Sequence, residues 1–218
     1  MMQIYNWKEF AKENNVDTSI FDDILGRLPT LSKDEYIAGG ALCDTILGKK
    51  PKDIDIFFSN KVAREEFAKK IISGKSATIS GMTEAGRAIA GKHHVLFVDK
   101  QVLLDSQTSI SIQMVGGDGV SRFGFQTILE RVSNADFTVT QFVYDGTYLY
   151  CGDTSISDLK NHILVPNNLD ILDFQKRVKR YEDKGFIKNP KIALLEYEIA
   201  IATSRRKYKE RMTLIDKR

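Results

Sequence analysis

Apolar and polar positions along the chain follow two periods, and the changes between them mark the elements. Across residues 7–27, Phe21, Ile24 and Leu25 recur at helical spacing behind capping residues at 17–19. This predicts one or two helices, closed by Leu28 and Pro29. Residues 36–38 begin a short strand that Gly39 and Gly40 break at once. A helix is predicted over 41–47, ended by Gly48 and the cluster Lys49, Lys50, Pro51, Lys52. Residues 53–58 alternate acidic with apolar side chains and read as a strand. Residues 61–73 read as an amphipathic helix that turns Val62, Phe67, Ala68, Ile71 and Ile72 toward the core.

The middle of the chain is β-rich. Strands are predicted at 94–98, 101–104 and 110–115, followed by a glycine loop at 116–119. A helix at 127–132 leads into a strand at 137–144, and Asp145 and Gly146 turn that strand into a hairpin with 148–150. A short helix is predicted at 157–161. From Asp170 the pattern is helical, interrupted at Gly185 and at Asn189–Pro190, with a long last helix from Lys191. The order is a mixed sheet with helices first and helices alone last. That predicts an α+β head over residues 1–165 and a helical unit over 166–218.

The 218 residues, 42% hydrophobic and 28% charged, exclude a disordered or collagen-like chain. No apolar run is long enough to span a membrane, and the first residues lack a signal-peptide pattern. Cys43 and Cys151 are too few for a disulfide framework and read as reduced, buried thiols of a cytoplasmic protein. Charge is uneven: residues 205–218 carry seven basic and two acidic side chains, whereas the first 204 residues sum to −2. That basic end is either a phosphate-contacting surface or a solvated helix end.

The chemistry concentrates between Ile37 and Ile56. On a strand, Asp53 and Asp55 point to one face, and two adjacent carboxylates repel unless a cation lies between them. Gly39 and Gly40 stand between a strand and a helix, where bare backbone amides are offered to an anion. With the lysines before Asp53, these parts describe a site for a triphosphate held through metal ions. His93 and His94, adjacent on a strand, face opposite ways and do not form a metal site. Phe142, Tyr144, Tyr148 and Tyr150 read as hairpin packing, with base stacking as the alternative.

This stretch resembles the head of class II tRNA nucleotidyltransferases and bacterial poly(A) polymerases, in the DNA polymerase beta superfamily. Their signature is Gly-Gly-x-Val-Arg-Asp, then Leu-Leu-Gly-Arg, then Asp-h-Asp, with h apolar. Gly39, Gly40, Asp44, Leu47, Gly48, Asp53 and Asp55 match it. The run from Asn134 to Gln141 resembles the motif Arg-Arg-Asp-Phe-Thr-Ile-Asn-Ala. The run from Asp158 to Leu164 resembles the family's connection into a neck helix, and that from Lys176 to Phe186 the neck itself. The match covers about Tyr36 to Phe186, and the chain's size is similar to that of compact phage-type relatives. It leaves no room in 218 residues for the family's tRNA-holding body and tail.

The resemblance implies a nucleotidyltransferase head with a mixed sheet flanked by helices, followed by a short neck. It implies transfer of NMP from an NTP to an acceptor hydroxyl, expected to be an RNA 3′ end. Asp53 and Asp55 would be catalytic and would hold two Mg²⁺ ions, with Mn²⁺ as the alternative metal. Gly39, Gly40, Asp136, Thr138, Arg177 and Arg180 would bind the nucleotide; by charge, Lys52 joins them as a candidate with Lys49 and Lys50, and Arg205, Arg206 and Lys209 are the candidates for RNA. The chain also departs from the pattern. Cys43 replaces the arginine before Asp44, and Asn134 and Ala135 replace the paired arginines. Thr140 replaces the asparagine, and Asp173 falls at the base-reading arginine. Gln113 falls at the third carboxylate. Those changes keep alternatives open: a toxin or modifier that acts on a protein, on a small molecule or on tRNA as its target, or a degenerate module that only binds nucleotide or RNA. Oligomeric state is not legible in the sequence.

Overall fold

Seven strands pair into one mixed sheet in the computed structural model, which describes residues 2–73, 100–103, 109–116, 124–168 and 174–215. In chain order they are β1 (Met2–Asn6), β2 (Glu35–Ala38), β3 (Asp53–Phe58), β4 (Lys100–Leu103), β5 (Ser109–Val115), β6 (Phe142–Tyr144) and β7 (Tyr148–Gly152). Their spatial order is β1-β7-β6-β2-β3-β5-β4. Every neighbouring pair is antiparallel except β3 and β5, which run parallel with Asp55 opposite Gln113 and Phe57 opposite Val115.

Helices flank this sheet. They are α1 (Trp7–Glu13), α2 (Ser19–Gly26), α3 (Gly40–Ile46), α4 (Lys61–Ser73), α5 (Ile128–Ser133), α6 (Ser155–Lys160), α7 (Phe174–Glu182) and α8 (Pro190–Ile215). Local chemistry sets several boundaries. The Asn6 side chain accepts from the amides of Lys8 and Glu9 and starts α1. Thr127 and Glu130 form a reciprocal capping box that starts α5. Asp145 Oδ1 accepts from the amides of Thr147 and Tyr148 at 2.8 and 2.7 Å, which closes the β6–β7 hairpin around Gly146 at φ 104°.

Strand alternation divides the interior. Ile54, Ile56, Phe58, Ile110, Ile112 and Met114 join the main core with Trp7, Phe21, Ile24 and Leu42. Phe57 and Val115 face the other way and pack with Tyr36, Ala38, Val132 and Val143. Phe174, Val178, Phe186 and Ile192 enter the main core, so α7 and the start of α8 share apolar packing with the sheet's helices. A short parallel pair, β8 (Ile163–Leu164) and β9 (Ile187–Lys188), ties the two parts together.

Three details differ from the sequence pattern. Met2–Asn6 forms an edge strand on β7 that its mixed composition does not announce. The strand expected over 137–144 is interrupted by a 3₁₀ turn at Thr138–Thr140 before β6 begins. There Thr140 Oγ1 donates to the Phe137 carbonyl at 2.8 Å, a local bond that competes with strand pairing. On α4, Val62 is 64% exposed, and Ala63 and Arg64 turn inward beside Phe67. Arg64 tolerates burial because its Nη1 donates to the Gly116 carbonyl at 2.5 Å and its guanidinium lies over Phe125. In keeping with the expected hairpin packing, Tyr144 and Tyr150 spend their hydroxyls within the hairpin, on the Gly146 carbonyl and Asp145. The strand expected at 94–98, His93, His94, Leu104, residues 117–119 and Asp173 lie outside the described residues.

Candidate active site

Residues from β3, β5, α3, α5 and α7 converge on one cavity of about 700 Å³. Its floor is the polar face of the parallel strand pair. Asp53, Asp55 and Phe57 project from β3, and Gln113 and Val115 project beside them from β5. The alternation that buries Ile54 and Ile56 thus commits the two carboxylates to a shared face. Burial is the largest influence on Asp55, with Asp53 next, and together they push its pKa from 3.8 up to about 7 against the pull of Arg131.

Gly39 and Gly40 form the rim. Gly39 has φ 84° and ψ −130°, a conformation that side-chain-bearing residues rarely adopt, and it hands the chain from β2 to α3. No side chain caps α3, so the amides of its first turn are left to whatever occupies the cavity. Of the neighbouring lysines, Lys52 lines the cavity. Lys49 and Lys50 instead border a separate hollow of about 50 Å³ beside Asp17.

The opposite wall comes from α7 and the turn after it. Lys176, Arg177, Lys179, Arg180 and Lys184 line it, with Tyr181 and Asp183. Two ion pairs fasten this wall to the sheet side: Arg177 with Asp136, and Lys184 Nζ with Asp44 Oδ1 at 3.3 Å. Asp136 is itself fixed from behind, because its carbonyl accepts from the Asn167 amide at 2.9 Å.

The structure therefore gathers Gly39, Gly40, Lys52, Asp53, Asp55, Asp136, Arg177 and Arg180 around one cavity, with Gln113 beside Asp55. Thr138 is not among the lining residues. It is buried in the 3₁₀ turn, where its Oγ1 has no hydrogen-bond partner among the described residues, and Thr140 takes its place on the cavity wall. Arg205 stands exposed on α8 and is not a cavity residue; Arg206 and Lys209 belong to the same helix, and their side chains lie outside the described residues. Cys43 is buried and is not among the cavity residues. Its thiol donates to the Val139 carbonyl at 2.8 Å, and burial pushes its pKa up to about 12.

Several cavity residues were not singled out as site residues in the sequence, among them Thr140, Tyr181, Asp183, Lys184 and Arg131. Arg131 projects from α5, and its guanidinium lies 4.3 Å from the centroid of the Phe57 ring. Tyr36 stacks on the same ring at 5.9 Å. Arg131 sits outside any quoted motif; its only sequence signal is a place one turn beyond the capping box at Thr127.

Comparison with protein families matches residues 8–162 to the Gabija anti-defense 2 family. The chain belongs to the Gabija anti-defense 2 family. The matched region contains the carboxylate strand, the Gly39–Gly40 turn and Arg131, while α7 and α8 lie beyond it. No curated protein matches this family member's sequence. Among solved structures, the apo form I of a CCA-adding enzyme is similar at 20% identity and TM-score 0.59. That match covers 93% of this chain and 47% of the enzyme. The Thermotoga maritima CCA-adding enzyme complexed with tRNA is similar at 20% identity and TM-score 0.52, covering 87% of this chain and 43% of the enzyme. A CCA-adding enzyme solved with ATP is similar at 20% identity and TM-score 0.53, over 83% of this chain and 41% of the enzyme. The chain thus spans less than half the length of these enzymes and shares the fold of their nucleotidyltransferase head. Among the described residues, no helix is long and apolar enough to cross a membrane.

Proposed function

We propose that this chain is a metal-dependent nucleotidyltransferase that moves the NMP of an NTP onto an acceptor hydroxyl and releases pyrophosphate. One observation carries the reading: a same-face carboxylate pair, a Gly-Gly turn and a cationic helix wall enclose a single cavity. Asp53 and Asp55 suit a hard divalent cation, Mg²⁺ or Mn²⁺, because they offer carboxylate oxygens side by side with the Gln113 amide next to them. Bound there, such a cation draws charge from the attacked phosphate and from the departing pyrophosphate.

The chain's own groups do the rest. The amides at Gly39 and Gly40 face the β- and γ-phosphates. Lys52, Arg177 and Arg180 balance phosphate charge, and Asp136 lies toward the ribose. A bond forms between the acceptor oxygen and the α-phosphorus, and the bond from that phosphorus to the bridging oxygen breaks. The acceptor proton passes to solvent, since the neutral amide of Gln113 cannot take it.

The leading acceptor is an RNA 3′ end, approached along the basic stretch of α8 that carries Arg205, Arg206 and Lys209. A protein acceptor is the second reading. Family membership favours it, because the family's name sets its members against a defence, and a nucleotidylated defence protein would be disabled. The test is incubation with each α-labelled NTP, Mg²⁺ or Mn²⁺, total RNA and the Gabija proteins. Label on RNA supports the first reading, and label on a Gabija protein the second. Absence of label under every combination overturns both.

A further inference from the structure

The sequence resemblance implies two metal ions, but the cavity floor has a different balance of charge. β3 offers two carboxylates, Asp53 and Asp55, and the position opposite Asp55 on β5 is the neutral Gln113. A single dication balances that pair. A second would have to be held by a neutral amide oxygen and by the substrate, against the preference of such cations for several anionic oxygens. A fixed positive charge already stands on this face. Phe57 follows Asp55 by two residues, about 7 Å along the strand. The Arg131 guanidinium lies 4.3 Å from its ring centroid. Tyr36 supports the same ring, and Val132 anchors α5 in the apolar cluster beneath it. Burial lowers the pKa of Arg131, while Tyr36, Asp136 and Asp55 oppose that shift, which places two of the cavity carboxylates, Asp136 and Asp55, within electrostatic reach of it. An arginine stays charged at neutral pH and presents a planar fork that suits phosphate oxygens.

We infer that the platform takes one divalent cation, and that Arg131, clamped on Phe57, supplies the second positive charge to the triphosphate. This rests on the nucleotidyltransferase reading and specifies how the site meets its substrate. Arg131 is then a substrate-binding residue that repels a second dication and holds phosphate in its place.

The test is a Mn²⁺ titration of the full chain, followed by electron paramagnetic resonance, with the unreactive analogue α,β-methylene-ATP present. One Mn²⁺ per chain is expected. Two would overturn the inference while leaving the nucleotidyltransferase reading intact, and failure to bind either Mn²⁺ or analogue would end both. Gln113→Asp should raise the count to two; a count that stays at one removes Gln113 as its cause and overturns the assignment. Arg131→Gln should leave one Mn²⁺ and weaken analogue affinity about tenfold or more, the range for losing a charge-assisted bond. Arg131→Lys keeps the charge and should lose less. Analogue affinity unchanged in Arg131→Gln would remove Arg131 from the site.

Discussion

The two walls of the cavity are built from different material. On one side, Asp53, Asp55, Phe57 and Gln113 stand on paired strands whose reverse faces are fully buried. On the other, Lys176, Lys179 and Arg180 are exposed residues of α7, and that helix holds to the sheet through Phe174, Val178 and two ion pairs. The strand wall fixes oxygen atoms with the rigidity of a core. The helix wall offers charge on long side chains in solvent, where salt screens it. Chemistry that depends on geometry belongs on the first wall, and attraction of phosphate belongs on the second.

The largest expected effect tests the strand wall. Asp53→Ala combined with Asp55→Ala should reduce nucleotidyl transfer to background without unfolding the chain, because it removes two like charges. Measurable transfer by the double variant would mean that the chemistry lies elsewhere.

The joint between the walls comes next. Arg177→Ala deprives the buried Asp136 of one ion-pair partner and should cost about 1–3 kcal/mol in a urea melt. A cost near zero would show that apolar packing alone fixes α7. Gly39→Ala forces a methyl-bearing residue into positive φ and should cost about 1–2 kcal/mol, with weaker NTP binding. An unaffected melt and unaffected binding would deny the turn its role.

Asp55 gives the strand wall a dependence on pH. Its folded-state pKa of about 7 lies above the ordinary 3.8, so the folded chain holds the proton more tightly between those values. Stability is therefore lost as pH rises from about 4 to 7. Without metal, Asp55→Asn should melt about 2–4 °C above the parent at pH 8 if about 1 kcal/mol is recovered, and the gap should close toward pH 4. A gap that does not change with pH would contradict the strain assigned to this carboxylate.

The smallest effect belongs to the helix wall. Lys179 pairs with Asp183 at 2.7 Å, but both side chains are more than half exposed. Lys179→Ala should change stability by less than about 1 kcal/mol. A larger loss would mean that this wall is more rigid than its exposure suggests.

The site's acidic half was readable because it obeys a local rule. Alternation at 53–58 forces Asp53 and Asp55 onto one face wherever the strand is placed, and Gly39 declares its turn through a conformation other residues avoid. Gln113 was readable only through the family resemblance, which places a third acidic residue on a later strand, and the strand expected at 110–115 offers Gln113 there. Thr138 and Arg131 were not readable. A threonine in a run of β-branched residues looks like strand, and only the Thr140–Phe137 bond shows that the chain coils there and withdraws Thr138. Val62 and Arg64 on α4 mislead in the same way. Helical spacing alone puts the valine inside, whereas the arginine is accepted by the Gly116 carbonyl just past β5 and by the Phe125 ring shortly before α5.

By itself, then, the sequence determined much of the element order between β2 and β7, the face that carries the carboxylates and the glycine hinge beside them. All three follow from periodicity and backbone sterics acting over a few residues. Only the tertiary structure decided that Lys52 rather than Lys49 or Lys50 reaches the cavity, that Arg177 and Lys184 reach across to Asp136 and Asp44, and that Arg131 rests on Phe57. These contacts join residues from roughly 40 to 140 positions apart in the chain. Long, flexible cations choose their partners by the space and charge that the assembled sheet and helices leave open, and no local pattern encodes that choice.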